Sequence, residues 1–340
     1  MSDFLALPDL ASHALGGAAI AANDEFFAPK ENLVLETEPV FDADRYTDRG
    51  KWMDGWETRR RRDPGNDWCV VELGVPGIVR GIVVDTAHFR GNHPEGASVE
   101  AVRIGSPPQR WESLAWEALL PRSPLTGDSR NVFRVDDGRT WSHLRLSIFP
   151  DGGVARLRVH GDAVPDWERI EGASDTGDVE VAAVTRGGTV LSSSDEFFGA
   201  PHHLLLPGEP EGMWDGWETR RRRGPGNDWV LVRLGRRTEI QTIEIDTRHF
   251  KGNFPESARV EAIDAAESAT GEPTTAAAGW REVLPRTRLR PDVRHRFESP
   301  ALVSMVATHV RLSIFPDGGV ARLRVRGKLQ EWAPFAPLRS

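Results

Sequence analysis

A single cysteine, Cys69, stands in 340 residues. That excludes an intrachain disulfide and any multi-cysteine metal site, and it suits a reducing compartment such as the cytoplasm. No apolar run approaches the roughly 18–20 residues of a membrane helix. The stretch from Phe4 to Ala22 is mildly apolar, but it follows Asp3, contains Asp9 and His13 and lacks a basic start, so no signal peptide is expected. Lysine is scarce too. Only Lys30, Lys51, Lys251 and Lys328 occur, leaving 39 arginines among 43 basic residues, and arginine grips carboxylates and planar polar groups through paired donors that lysine lacks. The Gly-x-Ser-x-Gly elbow, the phosphate-cradling Gly-x4-Gly-Lys loop, His-Glu-x-x-His and the dinucleotide fingerprint are all missing. Serine acyl transfer, nucleotide triphosphate use and nicotinamide chemistry lose support accordingly.

What is present describes a soluble globular chain, 39% hydrophobic and 28% charged, long enough for two domains. The net charge of −8 argues against a nucleic-acid partner, and the short apolar runs argue against a membrane.

The chain is written twice. Asp54–Trp68 returns as Asp215–Trp229 with one change, Asp63 to Gly224. Asp85–Glu95 returns as Asp246–Glu256, keeping eight of eleven positions, and Arg145–Val159 returns unchanged as Arg311–Val325. Even Asp24–Phe27 recurs as Asp195–Phe198, and the offset drifts from 171 to 161 to 166 along the chain. Short insertions between shared blocks are what loop-length changes in a duplicated fold would leave. The expected organisation is a first repeat over 10–163, a linker over 164–179, a second repeat over 180–328 and a tail over 329–340. Residues 264–279, rich in Ala and Thr, read as a surface loop grown between strands.

The pattern is mostly strand. Trp229–Leu234 and Thr242–Asp246 are β-rich. His309–Phe315 alternates, with Val310, Leu312 and Ile314 on one face and His309, Arg311 and Ser313 on the other; Arg322–Arg326 puts Leu323 and Val325 inward and three arginines outward. Short strands punctuated by Gly, Pro, Asn and Asp predict an antiparallel sandwich or jelly roll. Short helices are expected near Asp24–Glu25 and Asp195–Glu196.

Three clusters could carry chemistry. In Arg59, Arg60, Arg61 and Arg62, alternate side chains part in extended backbone, so one pair could meet a ligand while the other ties down the scaffold; the alternative is structural pairing with Glu57, Asp63 and Asp67. Asp85, His88, Asn92, His93 and Glu95 sit where a strand ends in a Gly-Asn-x-Pro turn, and a histidine beside a carboxylate can move protons near neutrality. The His88/His93 spacing is compatible with a divalent metal, in the first repeat only, since Phe254 replaces the second histidine. The structural alternative is a hydrogen-bonding turn histidine. Phe149–Gly153 is a turn signal first, although Arg145, Asp151 and Arg156 could point from neighbouring strands at one ligand. Trp56, Trp68, Trp217 and Trp229 fit packing better than stacking on a ligand.

These paired blocks resemble the allantoicase family over roughly residues 20–328. The resemblance implies an all-β fold of two tandem jelly-roll domains, galactose-binding-like and discoidin-type, and hydrolysis of allantoate to (S)-ureidoglycolate and urea. Such a substrate carries one carboxylate and two ureido groups, which call for guanidinium donors and carboxylate acceptors. Read from the residues themselves, the candidate binding residues are Arg59, Arg60, Arg61, Arg62, Asn92, Arg145 and Arg156, with the counterparts Arg220, Arg221, Arg222, Arg223, Asn253, Arg311 and Arg322. Glu57, His88, Glu95 and Asp151, with Glu218, His249, Glu256 and Asp317, compete for the acid and base roles. A cytoplasmic homo-oligomer with no obligatory cofactor is expected. A non-catalytic sandwich holding a sugar-like ligand is the alternative.

Overall fold

A computed structural model describes residues 3–172, 178–265 and 273–331. Parts of the expected linker, loop and tail (173–177, 266–272 and 332–340) lie outside the described residues. The chain divides into two compact units, Met1–Pro165 and Asp166–Ser340.

Each unit is organised by one 19-residue strand, Asp67–Asp85 in the first and Asp228–Asp246 in the second. The first part of Asp67–Asp85 pairs antiparallel with Ala18–Ala22 and Thr140–Phe149; the later part pairs with Arg156–Ala163 and Arg130–Arg134. Gly96–Val102 continues the first layer beside Thr140–Phe149 and carries Glu117–Pro124 on its outer edge. One strand thus serves both layers of a jelly-roll sandwich, crossing over where its pairing slips between Glu72 and Gly77. A second slip opposite His160 and Gly161 changes the inward phase. Cys69, Val71, Leu73, Val75 and Val79 face the core before it, and Ile82 and Val84 after it. The second unit repeats the arrangement, with inward positions changing from Val230, Val232 and Leu234 to Ile243 and Ile245.

Two local expectations need correction. No helix forms at Asp24–Glu25 or Asp195–Glu196; short 3₁₀ turns come later, at Lys30–Val34 and Pro201–Leu205. The carboxylates instead cap the backbone, Asp24 accepting from the Arg59 N–H at 3.1 Å and Asp195 from Arg220 at 2.7 Å. Within the expected linker, Trp167–Gly172 is α-helical. The polar side of Val306–Phe315 is not in water: His309 and Ser313 are buried, because larger cross-strand neighbours flank them, Arg233 and Ile263 beside His309, Trp229 and Arg259 beside Ser313.

Candidate functional site

The repeated blocks converge at one end of each sandwich, sewn together by backbone hydrogen bonds. In the first repeat Gly153 pairs across with Glu57, its N–H donates to Asn92 O at 2.8 Å, and Thr58 N–H donates to Gly152 O at 3.1 Å. Gly152 has φ +135°, and a Cβ there would stand 2.6 Å from Asn92 O, so the turn requires glycine for conformation and for room. Gly318 stands in the same place in the second repeat, at φ +136°. The turn signal read from Phe149–Gly153 is therefore the clasp of the site.

Within that clasp the side chains pair in duplicate. Asn92 Nδ2 donates to Glu57 Oε1 at 2.8 Å, and Asn253 Nδ2 to Glu218 Oε1 at 2.6 Å. Burial lifts the Glu57 carboxyl above the ordinary glutamate range, against the opposing Asn92 hydrogen bond. Asp151 Oδ2 accepts from the Arg61 N–H at 2.8 Å and Asp317 Oδ2 from Arg222 at 2.7 Å, fixing the backbone of the arginine run.

The four arginines divide as alternation predicts. Arg59 is paired with Asp24 at 2.6 Å and Arg61 with Asp67 at 2.6 Å; Arg220 and Arg222 repeat this with Asp195 and Asp228. Arg60, Arg62, Arg221 and Arg223 are exposed. In the second repeat a cleft of about 810 Å³ opens over the constellation, a size typical of small-molecule sites. Glu218, Arg221, Arg222, Asn253, Glu256 and Asp317 all line it, with Phe198 and Phe254 as apolar walls. Glu256 stays below the ordinary glutamate range, through a hydrogen bond from Ser257 and the Arg286 guanidinium.

Arg288 and Arg290 also line the cleft, and sequence reading missed both. They fall outside the repeated blocks, and the only available signal was that the second repeat has arginine where the first has Pro124 and Thr126.

Several other candidates are placed elsewhere. Arg156 and Arg322 are buried rather than outward-facing, with 1% and 3% of their surface exposed. Arg156 binds Asp54 and the Thr37 and Asp54 carbonyls; Arg322 binds Asp215. The loops that precede the arginine runs cover this end of the strand, which strand alternation does not reveal. Arg145 and Arg311 are partnered within their own sheets. They pair with Glu100 and Glu261 across the strand at 2.6 and 2.7 Å and lie over Trp116 and Trp280. His88 and His249 are turn residues at φ +68° and +70°; their Nε2 atoms meet the carbonyls of Pro39 and Pro210 at 3.1 and 2.9 Å. His93 Nδ1 meets Arg90 O at 2.9 Å. Among the described residues no group of three or more His, Cys, Asp or Glu side chains is assembled to hold a metal ion, so the residues do not fit the divalent metal that the His88/His93 spacing suggested. Trp56 and Trp217 are fully buried core, and among the described residues no helix is long and apolar enough to cross a membrane.

The sequence pattern of the allantoicase repeat matches residues 8–164 and 179–330. The chain belongs to the allantoicase family. It is 48% identical over 330 residues to a probable allantoicase of Nocardia farcinica, covering 96% of this chain and 95% of that one. A probable allantoicase of Burkholderia mallei is 44% identical over 325 residues, 95% of each chain. The crystal structure of the allantoicase from Saccharomyces cerevisiae superposes with a TM-score of 0.77 at 34% identity, covering 94% of this chain and 92% of that one. The doubled jelly roll is thus the allantoicase architecture, and the sewn loops belong to an enzyme family rather than to a non-catalytic binding sandwich.

Proposed function

We propose that this chain hydrolyses allantoate to ureidoglycolate and urea in the loop-end cleft of its second repeat. One observation carries the reading: Glu218 with its Asn253 partner, Glu256, Asp317 and paired guanidinium donors line one cleft, in a chain of the allantoicase family.

Allantoate presents a carboxylate and two ureido groups on one carbon. Guanidinium groups in the cleft take the carboxylate, and carboxylate oxygens accept the ureido N–H groups. The reaction breaks one C–N bond at the central carbon and forms one C–O bond. Urea leaves poorly as an anion, so its nitrogen must gain a proton as the bond breaks, while water gives one up. Glu218 is half-buried, and the Asn253 amide holds its carboxyl in place; it supplies the proton to the departing nitrogen. Glu256 is exposed and held ionised by Ser257 and Arg286, and it takes the proton from water. Asp317 acts as a positioning residue through the Arg222 N–H.

A cytoplasmic location and self-association accompany this reading; the buried, unpaired Cys69 suits a reducing compartment. Incubation of purified protein with allantoate, followed by assays for urea and ureidoglycolate, tests the function. Equimolar release of both is expected, and an intact substrate refutes it.

A further inference from the structure

We propose that the second repeat alone recognises the substrate carboxylate, and that Arg288 and Arg290 are the residues that select a ureide acid over a neutral ureide. This rests on allantoate hydrolysis in the second-repeat cleft.

The two repeats share one strand register and one set of backbone hydrogen bonds at this wall, so their positions correspond one to one. Arg288 pairs across with Ser257 just as Pro124 pairs with Gly96. Leu289 N–H donates to Glu256 O at 3.0 Å, and Leu125 N–H to Glu95 O at 3.0 Å. The Thr247 hydroxyl donates to Arg290 O at 2.7 Å, and the Thr86 hydroxyl to Thr126 O at 2.6 Å. The same frame therefore presents two guanidinium groups in one repeat and a proline and a threonine in the other. Neither Pro124 nor Thr126 can offer the paired N–H donors that bind a carboxylate in two-pronged fashion.

Both arginines remain available to a ligand. Each is exposed at the cleft wall, and the nearest carboxylate to Arg288 is Glu256, 4.0 Å from its Nε. Arg290 has no ion-pair partner among the described residues. The opposite side of the mouth differs too. Phe198 is 62% exposed, whereas its counterpart Phe27 lies beneath the short hairpin Tyr46–Lys51. There Gly50 sits against the Phe27 ring, and Arg49 Nη1 donates to Phe26 O at 2.8 Å. Duplication preserved the clasp in both halves. It kept the anion clamp and the open mouth in one.

The test uses the full chain and two substrates: allantoate, and methylenediurea, which carries the same two ureido groups on one carbon without the carboxylate. For Arg288→Gln/Arg290→Gln, the KM for allantoate should rise by on the order of 10² or more, as expected when charge-assisted hydrogen bonds are lost, and the ratio of kcat/KM for allantoate to that for methylenediurea should fall by the same order. Calorimetric titration of allantoate into Glu218→Gln should give one site per chain. An unchanged KM in the double variant, or two equivalent sites per chain, overturns the proposal while leaving a wild type that releases urea as an allantoate hydrolase. A wild type that releases none overturns both.

Discussion

Arg322 and Asp215 meet beneath the site loop with both side chains nearly closed to water, Nη2 donating to the two carboxylate oxygens at 2.9 and 2.8 Å while Nη1 reaches Asp215 O. Asp215 opens the block that runs on through Trp217 and Glu218 into the arginines. The loop that carries Glu218 is thereby bolted to a core strand from below. Arg156 and Asp54 form the equivalent pair in the first repeat at 2.9 Å.

Removing one member leaves the other charge buried and unpaired. Arg322→Met should therefore cost about 3–5 kcal/mol of stability, and Arg322→Met/Asp215→Leu should recover part of it. Urea denaturation with circular dichroism measures both. A loss no larger than an exposed ion pair's, about 1 kcal/mol or less, would contradict the burial of the Arg322–Asp215 pair.

Arg311→Lys and Arg145→Lys separate scaffold from substrate contact. Each native arginine pairs with a cross-strand glutamate and covers a tryptophan. The lysine variants should lower the melting temperature and leave the KM for allantoate unchanged. A raised KM would return these arginines to the substrate site.

Glu218→Gln takes away the acid that the proposed reaction assigns to Glu218 while keeping shape and the hydrogen bond to Asn253. Its kcat should fall by about 10²–10⁴, with a smaller change in KM. Full activity in this variant would exclude Glu218 as the acid.

Asp317 holds the Arg222 N–H. Asp317→Asn keeps an acceptor and should be mild. Asp317→Ala leaves that N–H without its partner, at a cost of about 1–3 kcal/mol, read as faster hydrogen exchange at Arg222 and lower kcat/KM. Equal exchange in both variants would show that the carboxylate does not hold the loop.

Burial holds His143, His203 and His295 below the ordinary histidine value of 6.5. The unfolded chain therefore binds more protons than the folded one as pH falls through that value, and the stability they contribute is present above it and lost on acidification. The melting temperature should drop between pH 7 and pH 5, and His203→Gln should flatten the slope. A slope of the opposite sign would refute the burial effect.

Repetition makes much of the fold legible in the sequence. Identical blocks such as Arg145–Val159 and Arg311–Val325 mark the same local structure built twice, and alternation in the arginine run separates Arg59 and Arg61, which pair with Asp24 and Asp67, from Arg60 and Arg62, which pair with neither. Alternation fails where other chain segments close over a strand. Arg322 occupies an outward position by periodicity, yet the loop around Asp215 buries it, and His309 is covered by its cross-strand neighbours.

The amino-acid order by itself determined the duplication, the strand-rich sandwich and the family, because those depend on periodicity and on long shared blocks that any local reading can find. Tertiary structure alone decided which arginines are buried bolts, and that Arg288, at the end of a distant strand, and Arg290, just beyond it, join Glu218 at one cleft. The physical reason is that burial, pairing and convergence are properties of segments far apart in sequence, fixed only when the loops close over the end of the sandwich.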